Sequence, residues 1–484
     1  MPHTIVIFGA SGDLTARKLV PALYELHRKR RLPEKTRIVG FSRTRWTHEA
    51  WRDELAASTQ RHLAGAFDRS VWDEFAGSLF YHPGDVGRGD DFPALMNVLD
   101  ALEGPPGATR VYYLATAPPF YEPAVKNLGL AGLAREGELP RRIVVEKPFG
   151  SDLATARRLN AALHEVFLER QIYRIDHYLG KETVQNVLVF RFANTIFEPI
   201  WNRNYVGHVE ITAAEAGSVG HRGAYYDSAG VLRDMFQNHL LQLLSLSAME
   251  APARFEADAV RDEKVKVLRA LRPMRPEDVA RDTLRAQYAG YREAPGVDPT
   301  SSTDTFAAVK LQVDNWRWQG VPFFLRSGKA MSCTTTQIII QFRQPPLMLF
   351  DAGPRSAHEA NRLVIQIQPA EGIQIHFQSK VPDAGMQLRL VDLNFRFQGK
   401  SSTAMPDAYQ RLLLDVLQGD ASLFARSDEV ELAWGIIDPI TSAWSQTGQP
   451  PLLSYVPGNW GPLESLSWIA DHGHAWFDAC PVLQ

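Results

Sequence analysis

The stretch Ile5-Val-Ile-Phe-Gly9-Ala-Ser-Gly12-Asp-Leu-Thr15 decides the fold of this chain. Ile5–Phe8 is a short apolar run of the kind that makes a buried strand, and a helical pattern follows from Arg17 to Arg30. Gly9 suits the tight turn between them. Gly12 lets the backbone approach a pyrophosphate, which the N-terminus of the following helix favours electrostatically. The spacing is G-x-x-G, and Thr15 stands where a third small residue would sit. By itself this is either a plain strand–helix turn or a dinucleotide site. At the head of a βαβ series it points to the dinucleotide, with Gly9, Ala10, Ser11, Gly12 and Asp13 as the turn residues against it.

That series continues outward from the turn. Further buried parallel strands are expected at Arg37–Phe41, Ser78–Tyr81, Val111–Leu114, Ile143–Val145 and Ile172–Ile175. Helical patterns such as Phe92–Leu102 and Leu153–Glu169 lie between or after them. The pattern changes near Asp176. Helices are expected at Glu182–Phe192, Val231–Ser247, Asp258–Leu271, Asp407–Gln418 and Glu429–Trp444. Alternating strands are expected at Val206–Ala214, Phe306–Val313, Thr336–Phe342, Leu363–Ile367 and Gln387–Phe397. The expected fold is an α/β Rossmann domain with a doubly wound, mostly parallel sheet over residues 1–175. A larger α+β domain with a big, mainly antiparallel sheet follows over 176–484, serving substrate binding and oligomerisation.

The chain has 484 residues, and its hydrophobic share of 45% and charged share of 22% are those of an ordinary globular protein. A net charge of -3 argues against a nucleic-acid partner. The two cysteines, Cys333 and Cys480, form neither a metal spacing nor a disulfide framework. A single bridge stays open, but a reducing compartment is the simpler reading. No signal peptide and no run of about 18 apolar residues is visible, so a cytoplasmic protein without a membrane span is expected.

The second strand selects the cofactor. An NAD site usually carries Asp or Glu at this strand's end, but here the chain reads Gly40-Phe-Ser42-Arg43-Thr-Arg45. Arg43 can pair with a 2′-phosphate and Ser42 can add a hydroxyl, which favours NADP over NAD; the alternative is a pair of solvated arginines. After the strand at Ile143–Val145, Lys147 in Glu146-Lys147-Pro148 is either a ligand contact or the partner of Glu146. The run Arg174-Ile-Asp-His-Tyr-Leu-Gly-Lys-Glu182 gathers Asp176, His177, Tyr178 and Lys181. The cations and the phenol suit a phosphate, while Asp176 would repel one and is better placed to orient a histidine. Such a histidine, His239, lies beside an apolar stripe in Arg233-Asp234-Met-Phe-Gln-Asn-His239, where a satisfied core histidine is the commoner reading. A regular helix would set Asp234 and His239 roughly 140° apart.

With these motifs in hand, GASGDLTARKL at the start, EKPFG at Glu146–Gly150, RIDHYLGKE at Arg174–Glu182, FANTIFEPIWNR at Phe192–Arg203 and RDMFQNHLLQ at Arg233–Gln242, the chain resembles the glucose-6-phosphate dehydrogenase family over nearly its full length. The resemblance implies oxidation of glucose 6-phosphate at C1 with hydride transfer to NADP, NAD being the weaker alternative, without a metal, in a homodimer or homotetramer. It implies His239 as general base with Asp176 as its partner. His177, Tyr178 and Lys181 become phosphate contacts, and Lys147, Glu215, Asp234 and Lys329 sugar contacts. Lys18 becomes a lysine near both ligands, and Gly9, Ser11, Gly12, Arg43 and Lys147 become cofactor contacts. One departure stands out: the family has a second basic residue a few positions after its Gly-Lys pair, whereas Gly328-Lys329 is followed by Ala-Met-Ser-Cys333-Thr334. Two other functions compete: a Rossmann dehydrogenase of unphosphorylated sugars, and a non-catalytic NADP-binding sensor.

Overall fold

The computed structural model describes residues 2–347, 349–350, 360–397 and 407–481. They form two compact units. The first comprises Met1–Lys181, Arg254–Arg261 and Pro406–Glu431, and the second Glu182–Ala253, Asp262–Met405 and Leu432–Gln484. The first unit is therefore not a single stretch ending at 175, because two later segments return to it.

In the first unit the strands are β1 (His3–Phe8), β2 (Thr36–Ser42), β3 (Leu79–Pro83), β4 (Thr109–Leu114), β5 (Arg141–Val145) and β6 (Ile172–Ile175). All six run parallel, and a short strand from the returning segment, Phe424–Ala425, pairs antiparallel with β6 at the sheet's edge. The order places β1 between β2 and β4. The chain thus winds outward from β1 through β2 to β3, then crosses back to start again at β4. Where the winding direction reverses, the carboxyl ends of β1 and β4 leave a crevice, the usual ligand position of such sheets. The strands are buried on both faces, as Ile5, Val6, Ile7 and Phe8 illustrate, and so read as continuous apolar runs.

The second unit holds a nine-stranded sheet. Numbered on from β6, with the edge strand Phe424–Ala425 as β15, its members are β7 (Val206–Ala214), β8 (Thr283–Tyr288), β9 (Phe306–Gln312), β10 (Pro322–Gly328), β11 (Thr335–Phe342), β12 (Arg362–Gln368), β13 (Gly372–Lys380), β14 (Leu388–Arg396) and β16 (Leu452–Tyr455). The order is β14-β13-β12-β11-β7-β10-β9-β8-β16, antiparallel except for β7–β10 and β8–β16. The helix Glu182–Phe192 and β7 have the bounds their sequence patterns predict. Cys333 and Cys480 are bonded to each other, with Cα atoms 5.9 Å apart. The open alternative of a single bridge is thus the one found. The sequence could not pair them, because the partners lie 147 residues apart and spacing alone gives no pairing.

Candidate active site

β1 ends at Phe8, and Gly9 turns the chain with φ at +89°. A side chain is excluded there twice over: the backbone is left-handed, and a Cβ would lie 2.2 Å from the Ala115 carbonyl oxygen just past β4. The Gly9 and Ala10 N–H groups both donate to the Phe41 carbonyl, at 2.9 and 3.3 Å. Thr15 is fully buried, and its hydroxyl donates to the Gly9 carbonyl at 3.2 Å. The position where a third small residue was sought therefore closes the turn with a hydroxyl. Thr15–Leu19 form a π-helical turn that leads into the helix Val20–Arg28. Ser11 and Asp13 are exposed, and Asp13 pairs with Arg17 at 2.8 Å. A helix opening directly behind a glycine turn offers its first N–H groups to an anion.

At the end of β2, Ser42 is buried. Its hydroxyl donates to Ser11 Oγ at 3.0 Å and is hydrogen-bonded to Tyr81 Oη at 2.7 Å. Ser42 thus braces the glycine turn, a use of its hydroxyl that the sequence did not suggest. Arg43 is exposed, makes no ion pair among the described residues, and has its guanidinium carbon 6.0 Å from the centroid of the Phe120 ring. Lys18 pairs with Asp407 at 2.9 Å. At the end of β5, Tyr113 Oη donates to the buried Glu146 at 2.6 Å, and Tyr409 is a second phenol hydrogen-bonded to it. Burial raises the Glu146 carboxyl above its ordinary range, with the two phenols opposing the shift. Glu146 therefore has neutral partners besides the nearby charge of Lys147.

The Arg174–Glu182 run splits into anchor and site. Arg174 lies in β6, is fully buried, and binds Glu169 at 2.7 Å and Asn160 Oδ1 at 2.9 Å. It belongs to the scaffold. Asp176 is 2% exposed and its Oδ1 accepts the Tyr178 N–H at 3.0 Å, which fixes the turn leaving the strand. The Lys181 ammonium lies 4.4 Å from the centroid of the Tyr178 ring, and the His177 and Tyr178 rings meet edge to face at 5.0 Å. A cation, a phenol and an imidazole thus converge within one turn of chain, as an anion site requires.

In the second unit, Leu232–Leu240 is wound as a π-helix that continues into the helix Leu241–Ala248. This changes the angular relation expected from a regular helix. With i→i+5 hydrogen bonding, residues five apart fall close to one face, so Asp234 and His239 come to the same side. π-helical turns are frequent at functional sites. His239 is 1% exposed. Asp304 accepts the Val231 N–H at the start of this segment, and burial pushes its carboxyl up to about 6. The Lys329 ammonium pairs with Glu215, stands 3.6 Å from Asp234 Oδ2 and lies 5.3 Å from the centroid of the Tyr226 ring. Glu215, Asp234 and Lys329, separated by up to 114 residues, are therefore one cluster. Tyr225 joins it by a hydrogen bond to Asp234, and burial with that carboxylate's charge pushes its phenol up to about 12. Nothing in the sequence singled out Tyr225, Tyr226, Tyr113 or Tyr409, since isolated tyrosines carry no spacing signal.

Residues 6–186 match the family model described as glucose-6-phosphate dehydrogenase, NAD binding domain, and residues 188–477 match glucose-6-phosphate dehydrogenase, C-terminal domain. The chain is 46% identical to glucose-6-phosphate 1-dehydrogenase of Treponema pallidum, covering 98% of this chain and 95% of that protein. It is 45% identical to the enzyme of the same name from Mycolicibacterium smegmatis, covering 98% and 97%. Among solved structures, a glucose-6-phosphate dehydrogenase in complex with its substrate glucose-6-phosphate superimposes with a TM-score of 0.90 at 34% identity over 98% of both chains. That of Mycobacterium avium gives 0.85 at 35% identity, over 99% of this chain and all of the other. The chain belongs to the glucose-6-phosphate dehydrogenase family.

Proposed function

We propose that this chain oxidises C1 of glucose 6-phosphate to 6-phosphoglucono-δ-lactone with NADP, the first oxidative step of the pentose phosphate pathway. Its support is full-length likeness to enzymes of that name, together with the Lys329–Glu215–Asp234 cluster beside the π-helical segment that carries His239. When bound, NADP accepts the hydride released from C1. The turn at Gly9–Gly12 suits its pyrophosphate, and the exposed Arg43 suits its 2′-phosphate. His177, Tyr178 and Lys181 hold the sugar phosphate, while Glu215, Asp234, Lys329 and Lys147 hold the hydroxyls. His239 removes the proton of the C1 hydroxyl, with Asp176 as the carboxylate that stabilises the imidazolium. Lys18 lies between its turn and Asp407 and adds positive charge for the ligands. The phosphate grip supplies binding energy remote from the reacting atom and so positions C1.

The test follows NADPH absorbance with glucose 6-phosphate and with glucose. Rapid reduction of NADP by the phosphorylated sugar alone is expected. Equal turnover of glucose would favour a dehydrogenase of unphosphorylated sugars, and no turnover a non-catalytic sensor.

A cytoplasmic homodimer or homotetramer belongs to the same proposal. β14 ends the sheet, and its Leu393 and Phe395 are 59% and 60% exposed, an apolar face of the kind that self-association covers. Leu393→Asp combined with Phe395→Asp is expected to shift the molar mass seen by light scattering to that of a single chain. An unchanged mass would place the interface elsewhere.

A further inference from the structure

The π-helical segment that carries Asp234 and His239 follows a break in the chain. The helix Gly223–Val231 is interrupted at Gly230, where φ is +67°. In an unbroken helix the Val231 N–H would donate to the Asp227 carbonyl, four residues back. Here a loop of the same unit takes over both partners. Val231 N–H donates to the Asp304 carbonyl at 3.1 Å and to Asp304 Oδ2 at 3.2 Å, and the Asp227 carbonyl accepts the Thr303 hydroxyl at 2.8 Å. Gly230 leaves room for this entry, since a Cβ there would lie 3.2 Å from Asp304 Oδ2. The Asp227 carboxylate holds the rest of the loop: it accepts Tyr291 Oη at 2.9 Å, the Asp298 N–H at 3.3 Å and the Ser301 hydroxyl. Thr305, the next residue, reaches the other half of the cluster. It is fully buried, its N–H donates to the Ala286 carbonyl at 2.8 Å, and its hydroxyl accepts the Tyr288 N–H at 2.9 Å. Its carbonyl accepts the Lys329 N–H at 2.9 Å. Adjacent residues of one loop thus hold the start of the Asp234 segment and the backbone of Lys329, whose ammonium stands 3.6 Å from Asp234 Oδ2.

We infer that Asp304 is a positioning residue for sugar binding: entering the broken helix at Gly230 from a distant loop, it caps the Asp234 segment and fixes Asp234 against Lys329. This rests on Asp234 as a sugar contact. The first turn of a helix has N–H groups without a partner inside the helix, and an oxygen that accepts one of them fixes that turn. A carboxylate there also meets the positive end of the helix. Asp234 lies in this first turn, three residues after Val231. His239 lies five residues further on, in a stretch where Asp234 to Leu240 are all buried and whose winding continues into the helix Leu241–Ala248. Loss of the cap therefore loosens Asp234 and leaves His239 in place. Affinity for the sugar falls, while the proton-transfer step keeps its base.

The test is steady-state kinetics of the full chain with glucose 6-phosphate and NADP. Asp304→Ala is expected to raise the KM for glucose 6-phosphate about 3- to 30-fold, the range for a lost helix cap when it falls on one binding contact. The kcat should stay within about threefold of the parent and the KM for NADP should not move. Asp304→Asn keeps an acceptor oxygen and should recover most of the affinity. Asp304→Ser, whose hydroxyl is too short to reach the Val231 N–H but keeps a polar group in place, should show the same raised KM where the alanine variant does not fold. A merely structural role would give less folded enzyme, lowering the apparent kcat with both KM values unchanged, and that result would overturn the inference. So would an asparagine variant as impaired as the alanine one. Asp234→Ala separates the two layers. If its KM for glucose 6-phosphate is unchanged, Asp234 is no sugar contact and the inference falls with it; if that KM rises while Asp304→Ala and Asp304→Ser leave it alone, only the role of Asp304 falls.

Discussion

Replacing His239 by Asn is expected to lower kcat by about 10²–10⁴ and to leave the KM for glucose 6-phosphate nearly unchanged. Asn keeps a polar side chain of similar reach in a position that is 1% exposed, so neither a large cavity nor an apolar group opposite a polar one is introduced. What it removes is the ability to take a proton. An interaction of that kind is made as the C1 hydroxyl loses its proton and is absent when the sugar merely binds, so its loss falls on kcat. On the proposed reading the sugar stays held by groups the substitution does not touch, among them Lys329, which pairs with Glu215 and stands beside Asp234. Steady-state kinetics with both substrates check this. A near-normal kcat would remove His239 from the base role, and a large rise in KM with normal kcat would make it a binding residue.

The residues of this site differ in how legible they were. The parallel strands of the first unit could be read because both their faces are buried, which gives unbroken apolar runs between turn residues. β10 is also buried on almost every residue, but its Pro-Phe-Phe-Leu-Arg-Ser-Gly sequence shows neither a clean run nor an alternation, because the fully buried Arg326 interrupts it. It was missed, although it carries the chain into Lys329. The local run at Asp176–Lys181 was legible, since its members meet within one turn. The Lys329–Glu215–Asp234 cluster was not legible as a cluster, because sheet register brings it together: β10 lies beside β7 with Gly328 opposite Ala214, so the residues just beyond both strands meet. Asp234 and His239 looked misaligned because regular winding was assumed, and the π-helix corrects that relation. The returning segment that supplies Tyr409 and the edge strand Phe424–Ala425 shows why a boundary at 175 divides the chain too simply: contacts between distant segments leave no periodic trace.

Arg43→Ala is expected to raise the KM for NADP by about 10- to 40-fold while changing that for NAD by less than about threefold. A guanidinium–phosphate pair is a charge-assisted contact worth about 1.5–3 kcal/mol, and the exposure of Arg43 discounts it toward the lower part of that range. The side chain can act selectively because its base is fixed. Tyr81 Oη donates to the Thr44 carbonyl at 2.6 Å and is hydrogen-bonded to Ser42 Oγ, so the residues on both sides of Arg43 are pinned to β3. Ser42 in turn holds Ser11 of the glycine turn, which couples the position of Arg43 to that turn. Truncation at Cβ leaves this bracing intact, so a general loss of nucleotide binding is not expected. NAD has a ribose 2′-hydroxyl where NADP has the phosphate, and no carboxylate stands at the end of β2 to accept it. The ratio of the two KM values is therefore the informative quantity. Parallel losses for both nucleotides would mean that Arg43 serves the turn rather than the 2′-phosphate. The same ratio shifted by Arg45→Ala, and unmoved by Arg43→Ala, would transfer the role two residues along the chain.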